Sequence, residues 1–128
     1  MRALLDTSVF IAEEQGRPLA LERLPDESAM SVVTLAELEL GIHLADHESE
    51  RARRLATAQA ARANYEALPV DQEVASAFAE LVAAARRAGR RPKVQDAWIA
   101  ATAMAHGAAV VTQDAGFEGL PGVSVIRV

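Results

Sequence analysis

The sequence predicts an α/β fold in which helices flank a central, mostly parallel sheet of four to five strands. Three observations point there. Short apolar runs, such as Ala3-Leu4-Leu5 and Ala108-Ala109-Val110-Val111, have the length of buried strands. Longer segments with helical periodicity separate them. Hydrophobic residues make up 51% of 128 positions, which is enough for a single core and too many for a disordered chain.

The elements follow in order. The first apolar run ends at Asp6, and Asp6-Thr7-Ser8 carries helix-cap chemistry for a helix reaching about Glu14. Gly16-Arg17-Pro18 breaks it, and residues 19–24 read as a short helix. Residues 29–32 form a second strand, and Thr34 opens a helix to about Asp46. The charged, alanine-rich stretch 48–66 reads as a third helix with a solvated face, where Glu50 is spaced to pair with Arg54. Leu68-Pro69-Val70 is a short strand. Asp71 caps a helix whose apolar residues Val74, Phe78, Leu81, Val82 and Ala85 recur at helical spacing. A basic linker over 86–93, broken by Gly89 and Pro92, leads to a helix over 94–106 that Gly107 stops. Residues 108–112 are a buried strand, 113–122 a loop and 123–128 a last strand.

Composition excludes several function classes. The chain has no cysteine, so disulfide scaffolds, thiolate nucleophiles and cysteine-ligated metals are out. Aromatic residues are 4% of the chain, too few for an RNA module built on stacked bases. The net charge of -5 gives no global basic field, so any nucleic-acid contact must use a local patch, a metal or both. No apolar run approaches the roughly 18 residues needed to cross a bilayer. Asp6 follows the start too closely for a signal peptide, so a cytoplasmic protein with no membrane partner is expected.

Four acids occupy matching addresses. Asp6 and Asp114 follow the carboxyl ends of strands, and Glu37 and Asp96 fall in first turns of helices. In a parallel sheet, helix starts and strand ends share one edge, which is where such folds place their sites. Two carboxylates about 5 Å apart repel by roughly 3 kcal/mol at an effective dielectric near 20. Several together call for a cation or for protonation. Oxygen-only donors suit Mg2+ or Mn2+, and such an ion serves phosphodiester hydrolysis by activating water and neutralising charge on the phosphate. A local reading of each acid also stands. Asp6 can cap a helix, Thr34-x-x-Glu37 fits a capping box, Asp96 suits a helix dipole and Asp114 a turn. Arg86, Arg87, Arg90, Arg91 and Lys93 precede Asp96 directly, as a solvated linker or as a basic rim for a polyphosphate chain. His43 and His47 are four apart on the expected helix without a third ligand, which favours a solvated face.

Four stretches carry a family resemblance: Leu5-Asp6-Thr7-Ser8-Val9, Thr34-Leu35-Ala36-Glu37-Leu38 with Gly41, Gln95-Asp96-Ala97-Trp98-Ile99-Ala100-Ala101-Thr102-Ala103, and Val111-Thr112-Gln113-Asp114. In these, in their order and spacing, the chain resembles the PIN-domain ribonucleases, specifically VapC-type toxins of type II toxin–antitoxin systems. The resemblance implies a PIN-like fold over residues 1–128 as a single domain. It implies an Mg2+ or Mn2+ site at Asp6, Glu37, Asp96 and Asp114, and cleavage of RNA, commonly tRNA or rRNA. It also implies a homodimer and a VapB-like antitoxin that covers the site. Thr7, Ser8 and Thr112 are then placed to hydrogen-bond the acids or the phosphate. Many relatives carry a further acid where this chain has Gly116, so a single ion held mainly by Asp6 and Asp96 is the expectation here. Two rival readings are an antitoxin-binding protein without catalysis and a metal-dependent phosphodiesterase acting on another substrate. A receiver-type domain would need a late lysine after a strand, and the only lysine, Lys93, precedes a helix.

Overall fold

The computed structural model describes residues 2–128. Its elements run β1 (Arg2–Leu5), α1 (Thr7–Glu14), a 3-10 turn (Leu21–Arg23), β2 (Glu27–Ser31), α2 (Val32–His43) and α3 (Glu48–Asn64). There follow β3 (Ala67–Leu68), α4 (Gln72–Arg87), α5 (Val94–Ala105), β4 (Ala108–Thr112), a second 3-10 turn (Ala115–Phe117) and β5 (Val125–Arg127). The five strands form one sheet in the order β3-β2-β1-β4-β5, and every pairing is parallel. The expected α/β architecture is therefore present.

β1 lies at the centre, with β2 and β4 on either side. Its residues Ala3, Leu4 and Leu5 are all buried, as a strand covered on both faces requires. Alternation splits them between two cores. Leu4 joins Leu81, Ala85, Ile99 and Ala103 beneath α4 and α5. Ala3 and Leu5 join Val9, Phe10, Ala58 and Ala61 beneath α1 and α3. Small alanines on α5 let this helix approach the sheet closely, while α3 packs over α1 and α2. Among the described residues no helix is long and apolar enough to cross a membrane.

Several boundaries differ from the sequence reading. α2 starts at Val32, because Ser31 is the residue that caps it, its hydroxyl accepting from the Val33 N–H at 3.0 Å. Val32 and Val33 thus belong to the helix, and Thr34 is a buried helical residue rather than a cap. The helix ends at His43, which puts His43 and His47 on separate segments, both exposed, and removes their shared face. The third strand is Ala67–Leu68, since Pro69 has no N–H to extend a ladder. The last strand is only Val125–Arg127, and the stretch read as a loop contains the turn at Ala115–Phe117, anchored by the fully buried Phe117.

Asp71 does cap α4, with its Oδ1 accepting from the Val74 N–H at 3.0 Å. Replacing it with alanine removes that acceptor. Asp71→Ala is expected to cost about 1 kcal/mol in urea unfolding without altering the site. A loss below about 0.3 kcal/mol would mean that water replaces the cap at no cost.

Candidate active site

The strand order reverses direction between β1 and β4, so a crevice opens beyond their carboxyl ends. Asp6 stands there. The pair Leu5 and Val111 ends the β1–β4 register, and the Asp6 N–H donates to the Val111 carbonyl at 3.0 Å. Asp6 is 4% exposed. The Ser8 hydroxyl donates to its Oδ1 at 2.6 Å and the Thr112 hydroxyl to its Oδ2 at 2.8 Å. Both hydroxyls also accept main-chain N–H groups, Ser8 from Gln113 at 3.0 Å and Thr112 from Asp114 at 2.8 Å. The two hydroxyls also lie 3.2 Å apart, so when Asp6 is ionised both can donate to it, and either can instead turn its proton toward the other.

Burial raises the Asp6 carboxyl to about 6. The Ser8 and Thr112 hydrogen bonds pull it back down, and the charge of Asp96 pushes it up further. Asp96, in the first turn of α5 and half-buried, is also raised. Burial is the main cause, followed by the charges of Asp114 and Glu37, with Lys93 opposing. Asp96 therefore sits near enough to Asp6, Asp114 and Glu37 to interact with each of them electrostatically.

Glu37 lies one turn deeper in α2 than the sequence suggested, because the helix starts earlier. No capping-box contact forms with Thr34. Instead the Thr7 hydroxyl, at the start of α1, donates to Glu37 Oε1 at 2.7 Å and lies 3.3 Å from the Thr34 hydroxyl. Asp114 is exposed at the head of the turn Ala115–Phe117. Gly116 follows on the same side, since a Cβ built there would meet Asp96 Oδ2 at 3.6 Å.

Among the described residues no three acidic or histidine side chains close around one point as a ready metal cage. The donor set still fits a hard divalent cation in kind. It is all oxygen, it is like-charged, and two of its members are held above their ordinary proton affinity partly by their neighbours' charge.

The basic segment divides. Arg90, Arg91 and Lys93 line a groove of about 460 Å3 together with Asp96, Asp114 and Gly116. Arg86 and Arg87 end α4 and do not line it. Sequence reasoning missed Thr34, whose hydroxyl meets that of Thr7, and Gln113, whose N–H holds Ser8. It also missed Arg127, which donates to the Gln113 carbonyl at 2.9 Å and to Glu118 Oε1 at 2.8 Å. No local motif marks these three, since their partners lie far along the chain.

The PIN-domain family model matches residues 3–123. Ribonuclease VapC5 of Mycobacterium tuberculosis is 46% identical over 128 residues, covering 98% of this chain and 94% of that protein. The chain belongs to the VapC-type PIN-domain family. Ribonuclease VapC4 of the same organism is 46% identical over 127 residues, covering 99% of this chain and 97% of its own. A crystal structure of VapBC-5 from M. tuberculosis, a member of the VapBC family of toxin–antitoxin systems, superposes with a TM-score of 0.89 at 42% identity, covering 99% of this chain and 98% of that one. Within this VapC-type frame, the polar residues that converge are the ones at the β1–β4 crevice.

Proposed function

We propose that this protein is a metal-dependent endoribonuclease toxin, a single PIN domain acting on cytoplasmic RNA and restrained by a small VapB-like antitoxin. The observation that carries the reading is the position of Asp96 beside Asp6 at the β1–β4 crevice of a VapC-type fold, where it also feels the charges of Asp114 and Glu37.

In this reading Asp6 and Asp96 hold Mg2+ or Mn2+, and Glu37 and Asp114 complete its surroundings through water. When bound, the ion supplies charge neutralisation for the scissile phosphate and acidifies an attacking water. The chain supplies everything else. Ser8 and Thr112 hold Asp6 as an acceptor, and Thr7 aims Glu37. Glu37 or Asp114 accepts the proton of the attacking water. The basic wall of the groove, with Arg86 and Arg87 beyond it, gives an otherwise acidic protein a place to hold RNA phosphates.

The partner has a surface to meet. A groove bounded by α1, α2 and the start of α3 exposes Leu40 and Leu44 and is rimmed by Glu14, Glu37 and Asp46, with Glu50 paired to Arg54 beside them. An amphipathic segment with basic side chains complements it, and Glu37 links this groove to the acids. A second copy of the chain would complete a homodimer.

The experiment is cleavage of total cellular RNA by the partner-free protein in Mn2+, in Mg2+ and in EDTA. Discrete fragments that form with either ion and vanish in EDTA are expected, with tRNA or rRNA as the source once their ends are sequenced. A folded protein that binds the antitoxin and cuts no RNA would leave the interaction role standing alone. Cleavage of DNA or of small phosphodiesters in preference to RNA would move the substrate class.

A further inference from the structure

The five basic residues over 86–93, two ending α4 and three in the link to α5, do not present themselves alike. Arg91 and Lys93 are exposed, whereas Arg90 is half-buried and reaches across the groove. Its guanidinium donates to the Glu118 carbonyl at 2.6 Å, joining segments 28 residues apart. Gly119, next along, has φ +78, and a Cβ there would overlap the Arg90 guanidinium. Both the positive φ and the guanidinium lying against it thus disfavour a side chain at 119. Arg127 holds the same turn from the sheet side, through the Gln113 carbonyl and the Glu118 carboxylate. The turn so gripped begins at Asp114 and contains Gly116 beside Asp96.

We infer that Arg90 is a positioning residue: it latches the basic segment 88–93 to the turn bearing Asp114 and thereby sets the separation of the groove's two walls, while Arg91 and Lys93 are the side chains left to meet phosphate. The inference rests on the ribonuclease reading for its catalytic consequence, but the latch itself is a property of the fold. The carbonyl takes one of the guanidinium's five N–H groups and fixes where the side chain lies, so its removal should first of all alter the placement of the turn that follows Asp114. A misplacement of about 1 Å near reacting atoms costs up to roughly a hundredfold in rate.

The test compares Arg90→Ala, Gly119→Ala and Lys93→Ala by two readouts. The first is amide hydrogen exchange in the metal-free protein. Arg90→Ala and Gly119→Ala are expected to speed exchange of residues 114–120 at least tenfold while β4 stays protected, and Lys93→Ala is expected to leave that turn unchanged. The second is cleavage, in Mn2+ and at several KCl concentrations, of an RNA fragment that the wild-type protein cuts. Arg90→Ala is expected to lower kcat about tenfold with KM and its salt dependence unchanged, and Gly119→Ala, which adds backbone strain at φ +78 to any loss of the latch, should lower kcat at least as much. Lys93→Ala should keep kcat, raise KM and reduce the slope of log KM against log salt by about 0.7, the value for one single-strand phosphate contact.

An Arg90→Ala protein with an undisturbed turn, or one that loses salt dependence while keeping kcat, would overturn the latch and make Arg90 an RNA contact. A loosened turn in a protein that cuts no RNA in its wild-type form would uphold the latch and sink the ribonuclease reading instead.

Discussion

Asp96→Asn is expected to abolish metal-dependent RNA cleavage, by on the order of 10³-fold or more, while the fold stays intact. Asp96 is the hub of the acidic site, since it acts on Asp6 and is acted on by Asp114 and Glu37. Asparagine keeps the shape and removes the charge that a cation would answer. No stability penalty is expected, because none of the side-chain hydrogen bonds in the fold depends on Asp96. Burial and three acidic neighbours make its charge unfavourable in the metal-free protein, so the variant should melt at or above the wild-type temperature. Circular dichroism and a melt beside the cleavage assay check this. A folded Asp96→Asn protein that still cuts at the wild-type rate would contradict the site.

Asp6→Asn is expected to trade in the same direction more strongly, with a pH signature. The buried Asp6 carboxyl titrates at about 6 in the folded chain, above its ordinary 3.8. Between those values the native state binds a proton that the unfolded chain has released. Unfolding free energy contributed by this group therefore falls as pH rises from about 4 to about 6, and stays lowered above that. At 1.36 kcal/mol per unit, the full penalty above pH 6 is on the order of 2 to 3 kcal/mol. Asparagine carries no such penalty, and the Ser8 and Thr112 hydroxyls can reorient to meet its amide. In EDTA at pH 7.5 the variant should melt several degrees above wild type, and at pH 4 the difference should vanish. Added Mn2+ should then raise the wild-type melting temperature and not that of the variant. A variant equally destabilised at both pH values would show that Asp6 is needed for packing rather than tolerated for function.

Much of this frame is legible from local chemistry. The strand Ala108–Thr112, the stop at Gly107, the Asp71 cap and the ion pair of Glu50 with Arg54 all depend on residues within a few positions of one another. What escapes is decided at longer range. Thr34 and Glu37 have the spacing of a capping box, yet Ser31 starts the helix and Glu37 turns to Thr7, 30 residues away. Residues 113–122 carry no helical pattern, but Phe117 has a place in the core and pulls a 3-10 turn down onto it. The five basic residues look equivalent in the chain, and only the partner of Arg90 distinguishes them. The likeness of addresses among the four acids was readable because parallel topology maps strand ends and helix starts onto one edge. The seating of Asp6 and Glu37 on the hydroxyls of Ser8, Thr112 and Thr7 follows the placement expected of those three residues, whereas the exposure of Asp114 is set by the turn that Phe117 anchors.

The central position of β1 has a consequence for synthesis. β1 is made among the first residues, but one of its two neighbours in the sheet is β4, and Thr112 lies 106 residues after Asp6. On the ribosome, chains grow at about 5–20 residues per second and early segments fold as their contacts become available. A nascent chain has no Thr112 to donate to Asp6 until 106 residues have followed it, and no Asp114 to face Asp96 until shortly after. The acidic centre is thus among the last features to assemble, and prematurely terminated products lack it altogether. A fold whose central strand must wait for β4 thus keeps its acidic centre incomplete until that late segment has emerged.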